Sequence, residues 1–174
     1  KKSINAIFWV LLAVVIYISI AFKKVSRPVA SWKYGVSALV AMFHDVVITL
    51  GVFAVLGKFY GTEINTSFVA AILTVLGYSI HDTIVVFDRT RENLPKSNED
   101  FEGTVNASVN QTLGRSINTS LTSLLALLAV VLFGGESIRP FALALTIGIF
   151  IGTYSSIFVA SPLLVVWEKL GRKV

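Results

Sequence analysis

Residues 64–87 read INTSFVAAILTVLGYSIHDTIVVF, a run in which Asp82 is the only formally charged residue. A membrane-spanning helix needs about 20 predominantly apolar residues, because the hydrocarbon core is about 30 Å thick and each helical residue rises about 1.5 Å. This run meets that length. It lacks the strict apolar/polar alternation of a barrel strand and is about twice as long as one, so the reading is helical. Uncharged runs, or runs holding one acid, recur on both sides of it between short charged connectors. The expected spans are 3–22, 34–57 with Asp45 inside it, 64–87, 116–135 and 140–167. The last is the longest and must tilt, kink or protrude, which Pro162 makes easy.

The fold class is therefore all-α integral membrane, a bundle of five transmembrane helices in a single transmembrane domain. Composition agrees: 55% of the 174 residues are hydrophobic and 14% are charged, against roughly 25% charged in soluble domains. A soluble globular domain is excluded. The formal charge of +5 points in so apolar a chain to the membrane surface before nucleic acid. With no cysteine, disulfides, thiolate metal sites and thiol catalysis are also excluded. The only methionine is Met42, so the chain is expected to be a segment of something longer.

Lysine and arginine give the expected orientation, since positively charged loops stay in the cytoplasm. Lys23, Lys24, Arg27, Lys33, Arg89, Arg91, Lys96, Arg115, Lys169, Arg172 and Lys173 fall on one side, and only Lys1, Lys2, Lys58 and Arg139 on the other. The amino end is placed outside and the carboxyl end inside, with at least one helix expected upstream. The long connector after 64–87 reads as a cytoplasmic interfacial helix over 98–113. Ser97 is its cap, Asp100 holds the capping-box position, and Phe101, Val105, Val109 and Leu113 form one apolar stripe.

The chemistry is expected at the charges that a bilayer penalises. An Asp near the middle of a spanning helix costs roughly 2.5–3.5 kcal/mol on insertion scales, so each needs a partner or a task. Asp45 falls at the centre of its span. Asp82 falls to the cytoplasmic side of the centre of its own. Ser79 and Arg89 share a helical face with Asp82, and Ala38, Ala41 and Thr49 share one with Asp45. Arg115, Asn118, Thr119 and Thr122 form a stripe on the next span, and Gly148-x-x-x-Gly152 followed by Tyr154-Ser155-Ser156 forms a close-packing face on the last. These stripes together suggest a hydrated interior path. His44 and His81 each precede an aspartate; adjacent helical residues point about 100° apart, so direct cooperation with those neighbours is not expected. A membrane-embedded hydrolase built on the two acids and the histidines has little support, lacking metal-ligand spacing or a base near the serines.

The stretches Phe43-His44-Asp45-Val46-Val47-Ile48-Thr49-Leu50-Gly51 and Gly77-Tyr78-Ser79-Ile80-His81-Asp82-Thr83-Ile84-Val85-Val86-Phe87-Asp88-Arg89 resemble signatures of the SecF protein-export membrane family. So do Arg91-Glu92-Asn93, the segment from Gln111 to Ser120, Gly152-Thr153-Tyr154-Ser155-Ser156 and Ser161-Pro162. The resemblance covers the last four spans in order and spacing; the first matches by position. It implies the C-terminal five helices of a six-helix SecF, separate or fused in SecDF, of the resistance-nodulation-division superfamily. It implies a proton pathway through Asp82 and Arg115; from the residues themselves, Asp45, His81 and Thr119 are candidates for either the pathway or packing, and no metal is expected. It further implies an auxiliary subunit, not an enzyme, that uses the proton gradient, without a cofactor, to promote translocation of exported polypeptides. The implied partners are SecD, the SecYEG translocon, YajC and YidC, with no nucleic acid, in a bacterial or archaeal cytoplasmic membrane. The alternative is a proton-coupled exporter of lipids or small molecules. His81 departs from the family, where many relatives carry Asn.

Overall fold

The computed structural model describes residues 29–172, together with 9, 12, 13, 16–18 and 20. Apart from those scattered positions, the span expected over 3–22 lies outside the described residues. The described residues form helices and no strand: α1 Ser31–Tyr60, α2 Thr66–Asn93, α3 Phe101–Phe133, α4 Arg139–Ser155, a π-helical segment Ser156–Ala160, and α5 Ser161–Arg172. Four helical stretches are long and apolar enough to cross a membrane, the last running from Arg139 to Gly171 through the π segment.

Local chemistry sets the boundaries. Gly61 ends α1 in the left-handed region (φ 68°), donating its N–H to Gly57 O at 3.1 Å. The Asn65 side chain caps α2 by accepting the Phe68 N–H at 3.1 Å, and Pro95 follows its end. Pro140 sits in the first turn of α4, where its missing N–H is harmless. Pro162 also lacks the N–H that the Phe158 carbonyl would accept, and its ring crowds that turn. The chain responds by widening into the π segment just before it, and the Ser161 hydroxyl donates to Ser156 O at 2.9 Å.

Two expectations are corrected here. The interfacial helix over 98–113 and the span over 116–135 are one continuous helix, α3. Gly114 and Arg115 read as a boundary, but a lone glycine weakens a helix by only about 1 kcal/mol, and arginine is a good helix former. Phe101 and Val105 are buried in the bundle core, so their stripe packs against neighbouring helices. The cap is Asp100, which accepts the Gly103 N–H at 2.8 Å, while Ser97 Oγ accepts the Glu99 N–H at 3.1 Å. Secondly, α2 extends to Asn93. Asp82 lies about 4 Å past the midpoint of the helix itself.

The helix α4 is central, packing against α1, α2 and α3. Its closest approach is to α2, where a methyl group on Gly148 would overlap the Val75 side chain and one on Gly152 would sit 3.0 Å from Ser79 Cβ. Two apolar clusters divide the interior. One gathers Tyr34, Ala38, Phe87, Phe101, Val105 and Leu164; the other gathers Met42, Phe53, Phe68, Val75, Leu76 and Leu145. Each helix passes from one cluster toward the other in alternating direction. As a result Lys33, Arg89, Arg91, Lys96 and Lys169 collect at the end of the first cluster.

Candidate functional site

Between the two apolar clusters lies a layer of buried polar side chains: Asp45 from α1, Ser79, Asp82 and Thr83 from α2, Ser116 and Ser120 from α3, and Ser155 and Ser156 from the end of the α4 stretch. These are small residues, which lets helix backbones approach closely and lets hydroxyls reach across. Several hydroxyls also bond back to a carbonyl one turn earlier, as Thr83 does to Ser79 O at 3.1 Å and Ser156 to Gly152 O at 2.9 Å. That back-bonding gives the hydroxyl proton an acceptor on its own helix.

Asp45 is completely buried. Its Oδ2 accepts hydrogen bonds from Ser79 Oγ at 2.5 Å and Ser155 Oγ at 2.8 Å, and His44 Nδ1 lies 3.0 Å from its Oδ1. The contact with His44 corrects the expectation that adjacent helical residues cannot cooperate. Their Cβ atoms diverge by about 100°, but the imidazole and the carboxyl are long enough to bend toward each other. Ala38, Ala41 and Thr49 are buried on the same face.

Asp82 differs. Its Oδ1 accepts from Ser116 Oγ at 2.6 Å, whereas its Oδ2 is buried without a hydrogen-bond partner among the described residues. Such a group is energetically exposed, since an unsatisfied buried acceptor costs about 1–3 kcal/mol, and more if charged. Asp82 is 8% exposed. Arg115 precedes the serine that contacts Asp82, and its own side chain is exposed. It lines a cleft of about 310 Å³ between α2 and α3, with Asp88, Arg89, Glu92, Gln111 and Thr112. Across that cleft Gln111 Oε1 accepts from Arg89 Nε at 2.6 Å and Asn93 Nδ2 at 3.0 Å.

The other candidates lie apart. His81 and Thr119 are exposed, as are Asn118 and Thr122. The inward face of α3 is instead Ser108, Thr112, Ser116 and Ser120, a spacing of four that the sequence already displayed. Ser79, expected beside Asp82, turns its hydroxyl to Asp45. Ser156 pairs with Thr83, their hydroxyl oxygens 2.9 Å apart, and Ser120 with Thr153 at 2.5 Å. Among the described residues no cluster of His, Asp and Glu is arranged to hold a metal.

Chemically, this layer can bind and release protons at a carboxyl and hold helices together through hydroxyls.

Comparison with known proteins agrees over nearly the whole chain. The family model described as protein export membrane protein SecD/SecF, C-terminal, matches residues 1–170. The protein translocase subunit SecF of Thermobaculum terrenum is 56% identical over 170 residues, covering 97% of this chain and 53% of that protein. The SecF of Synechocystis sp. is 44% identical, covering 97% and 51%. A crystal structure of SecDF in its super-membrane-facing form superposes with a TM-score of 0.81 at 43% identity, covering 94% of this chain and 21% of that one. The chain spans about half the length of the curated relatives it matches.

Proposed function

Because this chain belongs to the SecD/SecF C-terminal family of protein export membrane proteins, we propose that it is the membrane portion of an auxiliary subunit of the Sec protein-export machinery, which uses the proton gradient to promote translocation of polypeptides. The partners in this reading are a SecD protein, separate or fused, the SecYEG translocon, YajC and YidC. The membrane is the cytoplasmic one of a bacterium or archaeon. The lysine- and arginine-rich end of the bundle faces the cytoplasm, with the amino end of the segment outside. The relatives are named as translocase subunits, which favours this over an exporter of lipids or small molecules.

The observation that carries the reading is Asp82, buried in the polar layer between the two apolar clusters with one oxygen on Ser116 and the other without a hydrogen-bond partner among the described residues. Protons entering from outside neutralise Asp82 and are released toward the cleft that Arg115 lines. In the ionised state the carboxylate is attracted to the guanidinium side of α3; protonation removes that attraction and lets α2 and α3 reposition. One charge crossing the membrane supplies about 2.3 kcal/mol per 100 mV, enough to shift a two-state equilibrium substantially. No covalent step and no cofactor is needed.

The test uses the full-length protein with its partner in membrane vesicles. Asp82→Asn and Arg115→Ala assemble normally but lose proton-dependent stimulation of precursor translocation. Stimulation at the wild-type level in Asp82→Asn removes that residue from the pathway.

A further inference from the structure

The second buried acid of the layer has a different coordination, and that difference assigns it a different task. We propose that Asp45 is a positioning residue: a hydrogen-bond clamp that fastens α2 and α4 to α1 and so fixes the turn of α2 that carries Asp82. This rests on the reading of Asp82 as the proton site.

The clamp is built from three helices. Ser79 of α2 and Ser155 of α4 both donate to the same oxygen of Asp45, Oδ2, and His44 occupies the other. A carboxyl so engaged presents no open oxygen comparable to Oδ2 of Asp82. The two serines reach one atom because Gly152 removes the side chain that would hold α4 away from Ser79. The seam then continues by one turn. The hydroxyl oxygens of Ser156 and Thr83 lie 2.9 Å apart, each with one proton to place between the other and the carbonyls of Gly152 and Ser79, so α2 meets the start of the π segment between Ser79 and Thr83. Asp82 stands within that interval, three residues or about 4.5 Å along the axis from Ser79.

This geometry separates clamp from carrier. Since both serines share one oxygen, an asparagine at position 45 can place its carbonyl oxygen there and accept both hydroxyls. Its amide then faces His44 Nδ1, which accepts in the tautomer protonated on Nε2. Asparagine therefore keeps the clamp and abolishes proton exchange, while leucine keeps the volume and abolishes the clamp.

The experiment compares Asp45→Asn, Asp45→Leu and Asp82→Asn in the full-length protein with its partner. It reads proton-driven stimulation of precursor translocation in vesicles and the thermal midpoint of the solubilised complex. Asp45→Asn keeps most of the stimulation with a midpoint within about 2 °C of wild type, whereas Asp45→Leu falls by about 4 °C or more and loses it. Loss of stimulation in Asp45→Asn with an intact midpoint makes Asp45 a carrier and overturns the proposal. A collapsed midpoint in Asp45→Asn, or an unchanged one in Asp45→Leu, overturns it as well. If Asp82→Asn retains full stimulation, the proton-pathway reading fails, and the midpoints alone still decide the clamp.

Discussion

Replacing Gly148 by alanine adds one methyl group at the tightest contact between α2 and α4. That methyl overlaps Val75, with Val75 Cγ1 at 2.7 Å and Cβ at 3.0 Å, where carbon atoms rest at about 3.5–4.0 Å. Val75 cannot swing aside, because a β-branched residue in a helix keeps one rotamer and Val75 is fully buried. The helices must separate, and overpacking of this kind costs about 1–3 kcal/mol. Alanine is also the better helix former, by about 1 kcal/mol, which partly hides the loss. Gly51 supplies the reference: it lies in α1 with nothing within 4 Å of an added Cβ, so Gly51→Ala carries the propensity gain alone. The difference between the two substitutions isolates the packing term. At about 2–4 °C per kcal/mol for a protein of this size, the midpoint of Gly148→Ala falls about 2–12 °C below that of Gly51→Ala. Thermal unfolding of the two variants in the same detergent measures it, with Gly148→Ala/Val75→Ala recovering part of the loss. Equal midpoints for the two single variants refute the close approach of α2 and α4.

Ser116→Ala leaves both oxygens of Asp82 without a donor; it destabilises by about 1–3 kcal/mol and lowers proton-driven stimulation, and Ser116→Thr, which restores a hydroxyl, recovers both. Asp100→Ala removes the cap on the Gly103 N–H and costs about 1 kcal/mol, read in thermal unfolding and in faster amide exchange confined to the first turn of α3. Lys169→Ala breaks a 2.6 Å pair with Glu102 in which each side chain is 57% exposed; such pairs contribute little, so the midpoint does not move in low or high salt.

The described spans were legible because the bilayer leaves a chain few choices: long apolar runs must be helices. The close-packing pair Gly148 and Gly152 was legible for a similar reason, since small residues four apart mark a helix seam. The face of α3 was not. Arg115, Asn118, Thr119 and Thr122 read as one of the stripes along an interior path, yet all four are exposed. Hydroxyl side chains can satisfy themselves on a carbonyl one turn back, as Thr112 does on Ser108 O at 3.0 Å, and can be buried without a partner helix. Amides and guanidinium groups cannot, so Arg115 and Asn118 are kept off the packed face, while Thr119 and Thr122 share the exposed face with them. The contacts of each aspartate were hidden for another reason. Ser79 and Ser116 lie far along the chain from Asp45 and Asp82 on different helices, and no local period encodes such a pairing. The bend of His44 toward Asp45 is likewise a matter of side-chain length that a helical wheel omits.

In lipid the hydrophobic effect does not hold helices together, because lipid tails are as apolar as leucine; packing and interhelical hydrogen bonds do. The mid-layer of this bundle supplies both, through glycines that let α4 approach α2 and hydroxyls that join at Asp45. An acid that serves as such a hub gains from having its oxygens filled, since each hydrogen bond offsets part of the burial penalty. An acid that must accept and lose a proton needs an oxygen that is not already committed. Asp45 and Asp82 stand in one layer, Asp82 three residues along α2 from the Ser79 that bonds Asp45, and their contacts differ: two serines and a histidine on one, a single serine on the other. In the proposed mechanism, rigidity at the first allows a change of charge at the second to move α2 against α3 without loosening its seam with α4.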